Sequence, residues 1–272
     1  MDARIVMNHA PPAEPTAPAS SRRGHSMEPR PIHEVSAAAD FVWDFDARAA
    51  RAAFVAQDEF IHLPDLLPRT VVAKLVADAQ RARRFAVRAR VPLYKKSGSV
   101  SYFRLREHAP NIVELYRSAA MLSFLRSLTR ADLRLCPDDD PHACALYVYD
   151  EPGDRIGFHY DASHYRGDRY TVLLGVVDRS SSRLRCRLHR GDPERAREVA
   201  VSTSPGSVVV FNGDRLQHGV SPVAAGEERL VLSFEYVTDA RMTPLRRALS
   251  QVKDAMTYFG FREVFRASSA RT

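Results

Sequence analysis

The chain has 272 residues, of which 45% are hydrophobic, and this is enough for one substantial core. No stretch approaches the roughly 18 consecutive apolar residues of a membrane helix, and the first residues contain no apolar block typical of a secretory signal, so we expect a soluble, cytoplasmic protein. The formal net charge of +7 could indicate a nucleic-acid or acidic partner, but the excess arginine is spread along the whole chain.

Residues 1–39 are predicted to form a disordered leader. This segment is rich in Ala, Pro and Ser, as in APPAEPTAPASS, and has no periodic apolar face that could offset the entropy of ordering. Its acidic residues Asp2 and Glu14 argue against a transit peptide. We expect residues 40–272 to form a single domain.

A short strand and two helices are predicted at the start of this domain. The segment EFIHLPDLLP favours a strand and a turn because Pro64 and Pro68 interrupt helix continuity. The first helix spans residues 69 to about 84 and the second spans residues 111 to about 128. The apolar stripe of the first helix consists of Val72, Leu75, Val76 and Ala79. Its other faces carry Lys74, Asp78 and Arg81. The basic segment 81–96 predicts a solvated helix face followed by a loop.

After Pro137 the sequence changes to short runs of β-branched and aromatic residues. These runs are CALYVY, YTVLLGVV, SVVVF and LVLSFEY, separated by turns that contain Gly, Pro and Asp. Their close spacing predicts an antiparallel barrel or jelly roll at about residues 140–240, and not a doubly wound sheet. Residues 243 to about 261 predict a C-terminal helix. Its apolar stripe consists of Leu245, Leu249, Val252 and Met256. The predicted fold is therefore mainly β with a helical layer (α+β).

The segment GFHYDAS contains a candidate pair of metal ligands. His159 and Asp161 are two residues apart, so in a strand both side chains leave the same face. A second imidazole would complete the facial triad of two histidines and one carboxylate that is typical of nonheme iron(II) enzymes. His218 is the best third ligand because it follows the compact strand SVVVF in the turn-rich stretch NGDRLQHGVSP. The predicted catalytic metal site is His159, Asp161 and His218.

Arg229 is a candidate anion-binding residue. Alternation along RLVLSFE puts Arg229, Val231 and Ser233 on one face of the last strong strand. A permanently charged guanidinium that faces a barrel interior needs an anion, and a dicarboxylate could bind it through a bidentate pair. The alternative is a surface salt bridge with the adjacent Glu227 or Glu228.

These residues together carry a resemblance to a known family. The pattern His-x-Asp, then a distal His, then an Arg about ten residues later resembles the 2-oxoglutarate/iron(II) dioxygenase superfamily. LYVYDEPGDRIGFHYD and SPGSVVVFNGDRLQHGVSPVAAGEERLVLSFEY are similar to two parts of its prolyl-hydroxylase-like branch, and together they cover roughly residues 140–240. The resemblance implies a double-stranded β-helix (jelly-roll) core with N-terminal and C-terminal helices. It also implies iron(II), 2-oxoglutarate as cosubstrate, dioxygen, and release of succinate and carbon dioxide.

The resemblance further implies roles for single residues. Arg229 is the implied anchor of 2-oxoglutarate, and Tyr149 and Thr171 are implied hydroxyl donors to it. Halogenating relatives carry Gly or Ala where this chain has Asp161, so hydroxylation, or a related desaturation or ring closure, is favoured over halogenation. One departure is DRSSSRLRCRLHRGD, which replaces the acidic Gly-Gly turn often found between the ligands and leaves the substrate open.

Two alternative functions remain. A nucleic-acid or protein-directed oxygenase or demethylase of the same superfamily would fit the basic charge, but nucleic-acid relatives carry a second arginine shortly after the anchor and LVLSFEY has none. A catalytically silent jelly-roll binding module would not require the complete set of ligands. The predicted substrate walls are residues 88–108 and the loop HYRGDRY, whose Arg, Lys and Tyr content suggests a small polar or anionic molecule. The sequence indicates no oligomeric state.

Overall fold

The computed structural model describes residues 43–161 and 164–264, so the predicted leader at 1–39 lies outside the described residues. Within that part of the chain, twelve antiparallel strands form a continuous sheet that curls into a nearly closed barrel, with helices beside it. The predicted jelly-roll core and helical layer are confirmed. None of the described helices is long and apolar enough to cross a membrane.

The elements are numbered in chain order. The strands are β1 (Phe60–Leu63), β2 (Val87–Val91), β3 (Lys95–Val100), β4 (Arg134–Leu135), β5 (Cys144–Tyr149), β6 (Arg155–His159), β7 (Arg169–Arg179), β8 (Leu184–Leu188), β9 (Arg197–Val201), β10 (Val208–Asn212), β11 (Gln217–Val220) and β12 (Glu228–Val237). The helices are α1 (Ala47–Ala56), α2 (Arg69–Ala82), α3 (Tyr102–His108), α4 (Pro110–Arg117), α5 (Ala119–Thr129), α6 (Pro244–Asp254) and α7 (Phe261–Val264). A π-helical turn (Ala255–Phe259) joins α6 to α7.

The core strands β5 to β12 are divided between two sides of the barrel. One side has the strand order β10-β7-β12-β5 and the other has the order β6-β11-β8-β9. Strand β3 joins them, because Gly98 and Val100 pair with β5 while Lys95 and Lys96 pair with β6. This arrangement is the double-stranded β-helix that the sequence predicts.

Alternation along β12 separates a helix-facing core from the barrel interior. Leu230, Leu232 and Phe234 pack in the core cluster that includes the helices α2, α4 and α5. Arg229 and Val231 face the opposite way and line the interior cavity. The predicted alternation is therefore confirmed, and it explains why a charged residue faces the barrel interior while the next residue, Leu230, packs in the apolar core.

The helical layer contains one break that the sequence analysis did not predict. The first predicted helix is confirmed as α2, but the predicted helix at 111–128 is two helices, α4 and α5. Ser118 separates them in an extended conformation, and its hydroxyl accepts a hydrogen bond from the amide of Met121 at 3.0 Å. Because Ser118 caps a new helix, the chain forms two helices here and not one, although the apolar periodicity continues across Ser118.

Asp78 was predicted on a face of α2 other than its apolar stripe, but it lies on the buried face of the helix. Its side chain is fully buried and accepts hydrogen bonds from the backbone amides of Asn111 (2.8 Å) and Ile112 (3.3 Å). These amides lie in the first turn of α4, which has no capping side chain of its own. A carboxylate at this position accepts hydrogen bonds from the first amides of α4 and interacts favourably with the helix dipole. Periodicity along α2 cannot reveal a partner so distant in sequence.

Residues 81–85 of the basic segment 81–96 are helical as predicted, but residues 87–96 form part of a β-hairpin instead of the predicted loop. Strands β2 and β3 pair from Val87↔Ser99 to Val91↔Lys95. Lys95 is buried, donates a hydrogen bond to Ser99 Oγ at 2.9 Å, and places its Nζ 3.6 Å from the ring centre of Tyr258. One basic side chain of this segment is thus directed inward, against the C-terminal part of the chain.

The C-terminal segment is helical as predicted. Its apolar stripe was expected to pack against the rest of the protein, but it does not. The stripe residues Leu245, Leu249, Val252 and Met256 are exposed. The buried residues are Asp254, at the end of α6, and Ala255, Tyr258 and Phe259, within the π-helical turn. His142 Nε2 lies 3.1 Å from Asp254 Oδ1 and fixes this segment beside the start of β5.

Candidate metal centre

His159, Asp161 and His218 converge in the cavity of the barrel. His159 and His218 are register partners on the adjacent strands β6 and β11. Their Nε2 atoms lie 3.4 Å and 3.5 Å from Asp161 Oδ1, and ligand atoms of all three residues lie within 4.8 Å of one another. Among residues 43–161 and 164–264, this is the one cluster of at least three such side chains that could hold a metal ion.

Backbone contacts orient both imidazoles. His159 Nδ1 lies 2.9 Å from the carbonyl oxygen of Gly157, and His218 Nδ1 lies 3.1 Å from that of Leu216. A carbonyl oxygen only accepts, so each Nδ1 carries the proton and donates it. Each Nε2 therefore presents a lone pair to the shared point, as a metal-binding histidine requires.

Asp161 is held by its neighbours in a position that faces the histidines. Its backbone amide donates to the carbonyl oxygen of Gly213 at 2.9 Å, and Thr171 Oγ1 donates to its Oδ2 at 2.7 Å. A Cβ at position 213 would lie 2.9 Å from both Asp161 Cβ and Thr171 Oγ1, so only glycine fits without displacement. Gly213 was not among the predicted site residues, although its place directly after β10, between two predicted ligands, was a signal.

The electrostatics of the cluster suit a divalent cation. Burial alone would raise the pKa of Asp161, but His218 and His159 hold it well below its usual range. Burial lowers the pKa of His218 to about 4. At neutral pH the site thus contains an ionised carboxylate beside a neutral His218 imidazole, which are the protonation states that metal binding needs.

Arg229 lies deep in the cavity, which has a volume of about 300 Å³. It is 1% exposed, and its Nε donates to Thr203 Oγ1 at 3.0 Å. Neither terminal nitrogen hydrogen-bonds to any residue that the structure describes, and burial lowers the pKa of the guanidinium. An isolated buried charge is costly, so this arrangement fits an anionic ligand.

Arg229 does not make the surface salt bridge that was the alternative. Glu228 pairs with Arg83 and Arg179, and Glu227 accepts hydrogen bonds from Ser181. The burial of Arg229 and the other partners of these two carboxylates exclude that salt bridge.

The two predicted hydroxyl donors occupy different parts of the cavity. Tyr149 is the register partner of Arg229, and its ring centre lies 5.1 Å from the guanidinium carbon. Thr171 Oγ1 instead contacts Asp161, as described, and Glu235 Oε2 at 2.9 Å. Tyr149 is thus placed beside the proposed anion site, whereas Thr171 stands beside a candidate metal ligand. Their roles toward 2-oxoglutarate stay predictions.

A buried ion pair beside the triad was not found by the sequence analysis. Arg169 Nε donates to Glu235 Oε2 at 2.9 Å, and Ser233 Oγ donates to Glu235 Oε1 at 3.0 Å. Burial raises the pKa of Glu235 to about 7. Burial alone would lower the pKa of Arg169, but the Glu235 charge holds it well above its usual range. The available signal was alternation, which places Glu235 on the same face as Arg229.

Besides the barrel strands, three segments of the chain contribute to the cavity walls. The predicted segment 88–108 contributes Tyr94, and the predicted loop HYRGDRY contributes Arg169. A third wall, formed by Lys253, Thr257 and Tyr258, comes from the C-terminal segment. That wall was not predicted, because helical periodicity does not show that a helix continues into a π-helical turn at the cavity mouth.

Comparisons with known proteins agree on the fold. No protein-family model matches the sequence, and no curated protein matches it. Among solved structures, the non-heme alpha ketoglutarate dependent epimerase SnoN from nogalamycin biosynthesis is 17% identical with a TM-score of 0.59, covering 70% of this chain and 80% of SnoN. SnoN has also been solved in complex with Fe3+, alpha ketoglutarate and nogalamycin RO.

Two prolyl hydroxylases are similar as well. A Trichoplax adhaerens prolyl hydroxylase, solved with a hypoxia inducible factor peptide fragment, is 15% identical with a TM-score of 0.56, covering 75% of this chain and 93% of that one. A Pseudomonas putida prolyl-4-hydroxylase is 19% identical with a TM-score of 0.51, covering 72% of this chain and all (100%) of that one. The chain therefore has the fold of the 2-oxoglutarate/iron(II) oxygenases.

Proposed function

We propose that the protein is an iron(II)- and 2-oxoglutarate-dependent dioxygenase that oxidises a C–H bond of a small polar molecule, with hydroxylation as the expected outcome. The observation that carries the proposal is the presence, in one cavity, of the His159–Asp161–His218 cluster and of Arg229 with two terminal nitrogens that no described residue satisfies. The similarity to SnoN, which binds Fe3+ and alpha ketoglutarate, supports it.

Each residue has a defined task in this proposal. His159, Asp161 and His218 would hold iron(II) through two imidazoles and one carboxylate. Arg229, with Tyr149 beside it, binds the carboxylate of 2-oxoglutarate that is remote from the metal. The apolar side chains of Leu173, Leu184 and Val231 line the cavity and exclude water. Iron(II), 2-oxoglutarate and dioxygen supply the oxidising chemistry when bound, with succinate and carbon dioxide as coproducts.

The size and position of the cavity support a small substrate. A volume of about 300 Å³ has to accommodate 2-oxoglutarate as well as the substrate. The candidate reactive centre also lies inside the barrel, and not along an exposed basic surface. Both observations favour a small molecule over a nucleic acid or a protein as the substrate.

An anaerobic titration tests the proposal. The apoprotein should bind one iron(II) per chain, and 2-oxoglutarate should then produce a weak visible charge-transfer band, because a keto acid can chelate the open face of the metal. His159→Ala should lose the band, whereas His108→Ala, on α3, should keep it. No band with the wild-type protein, or an undiminished band in His159→Ala, contradicts the proposal.

A further inference from the structure

Arg169 forms a buried ion pair and also lines the cavity. It is 7% exposed and lines the cavity, and its Nε donates to Glu235. Neither of its terminal nitrogens donates a hydrogen bond to a residue that the structure describes. The guanidinium is planar with donors on two edges, so the edge that Glu235 does not hold remains available to a ligand in the cavity.

Arg169 is also separate from the proposed 2-oxoglutarate anchor. In the β7–β12 ladder, Arg229 pairs with Asp178 near one end, and Arg169 pairs with Val237 at the other. Both arginines nevertheless line the same cavity. A single dicarboxylate held by Arg229 therefore leaves Arg169 for a second anion.

The position of Arg169 relative to the metal ligands suits a substrate anchor. Thr171 Oγ1 contacts both Asp161 Oδ2 (2.7 Å) and Glu235 Oε2 (2.9 Å), and Glu235 Oε2 lies 2.9 Å from Arg169 Nε. The guanidinium is thus linked to a candidate metal ligand through two intervening side chains. A molecule held at Arg169 would place its neighbouring carbon atoms beside the metal, as oxidation of a C–H bond requires.

The surrounding walls indicate what else the ligand contains. Tyr94, Tyr147 and Tyr258 line the cavity, and the hydroxyl oxygens of Tyr94 and Tyr258 lie 3.2 Å apart. Aromatic rings pack against flat organic groups, and Lys253 adds a positive charge at the rim. These features favour a small acid with an aromatic or otherwise flat body.

We propose that Arg169 anchors the substrate, and that the substrate is a small organic acid whose carboxylate pairs with the free edge of the Arg169 guanidinium. This inference rests on the proposed oxygenase function. It assigns to Arg169 the recognition of substrate and to Arg229 the recognition of cosubstrate, within one cavity.

The test uses the full chain loaded anaerobically with iron(II) and 2-oxoglutarate, and follows the charge-transfer band. The probes are benzoate, phenylacetate, 4-hydroxyphenylacetate, cinnamate and L-tyrosine, each compared with its primary amide. At least one acid should perturb the band, and its amide should not. Arg169→Gln should weaken the binding of that acid by about tenfold or more, because the substitution removes a charged hydrogen-bonding partner. The affinity for 2-oxoglutarate should stay unchanged.

Two further variants keep the result interpretable. Arg166→Gln, on the exposed loop that precedes β7, is the matched control and should bind the acid as the wild type does. If Arg169→Gln lowers the unfolding temperature, the double variant Arg169→Gln/Glu235→Gln replaces the ion pair with a neutral pair and should show the same loss of acid binding.

The outcomes distinguish this inference from the proposed function. Absence of the charge-transfer band in the wild-type protein would contradict the proposed function. The inference is overturned if the wild-type band is present but no acid perturbs it, or if an acid and its amide perturb it equally. Undiminished acid binding in Arg169→Gln also overturns it.

Discussion

His159 and His218 lie directly opposite each other on β6 and β11, with ring centroids 4.3 Å apart. The register shifts immediately after this pair, between His218 and Val220. A Cβ at Gly219 would lie 2.9 Å from the carbonyl oxygen of Ile156, so glycine allows the close approach of the two strands there. The two imidazoles of the candidate metal centre are therefore positioned by strand pairing, and not by a flexible loop.

Arg229→Gln should weaken 2-oxoglutarate binding while leaving iron(II) binding close to that of the wild type. Loss of a charged hydrogen-bonding partner costs about 1.5–3 kcal/mol, which corresponds to one to two orders of magnitude in the dissociation constant. Titration of the charge-transfer band measures it. Arg179→Gln, on the exposed end of the neighbouring strand β7, is the matched control. Equal affinities in Arg229→Gln and the wild type would mean that another residue holds the carboxylate.

The parts of the site that the sequence predicts are those that depend on local geometry. Residues two apart in a strand share a face, and this places His159 with Asp161 and orients Arg229 inward. The strand runs are long enough and rich enough in β-branched residues to indicate the barrel. Pairing of His218 with His159 follows once the barrel closes, so the triad could be inferred from spacing and strand pattern alone.

The parts that were missed depend on contacts between distant segments. Asp78 caps a helix that begins more than thirty residues later, at Pro110, and Arg169 meets Glu235 on another strand. Neither pairing leaves a periodic signal. The break at Ser118 was missed for the opposite reason, because apolar periodicity continues through it while a single hydroxyl decides where the helix restarts. The hairpin at β2 and β3 was missed because its basic residues resemble a solvated helix face.

Gly213→Ala should reduce the affinity for iron(II), because the new methyl group would meet Asp161 Cβ and Thr171 Oγ1 at 2.9 Å and displace the carboxylate. We expect a loss of about tenfold or more, comparable to disruption of the residues that orient metal ligands in other sites. Metal titration of the purified protein measures it. Gly191→Ala is the matched control, since nothing lies within 4 Å of a Cβ there. Identical affinities in the two variants would contradict this role of Gly213.

Asp78→Ala should lower the free energy of unfolding without changing metal binding. The substitution leaves the amides of Asn111 and Ile112 without their acceptor at the start of α4, at a cost of about 1–3 kcal/mol. Urea unfolding of the metal-free protein measures it. Arg81→Ala is the control, because Arg81 is a half-exposed partner of Asp78 and its loss keeps both amide contacts. Equal stabilities of Asp78→Ala and Arg81→Ala would show that the cap contributes little.

The metal-free protein should lose stability as the pH falls from about 6.5 to about 4, and His218 should cause part of the loss. Burial lowers the pKa of His218 from 6.5 to about 4 in the folded state, so between these values the unfolded chain binds a proton that the folded protein does not. Its contribution is therefore largest near neutral pH and decreases by up to about 3 kcal/mol on acidification. Burial also lowers the pKa of His62 and His164, so these residues add to the pH dependence of the wild-type stability. The test is therefore the difference in pH dependence between the wild type and a His218 variant. Urea unfolding at a series of pH values should give a shallower dependence for His218→Gln than for the wild type or for the control His108→Gln. Parallel curves for all three proteins would show that His218 is not held neutral by its burial.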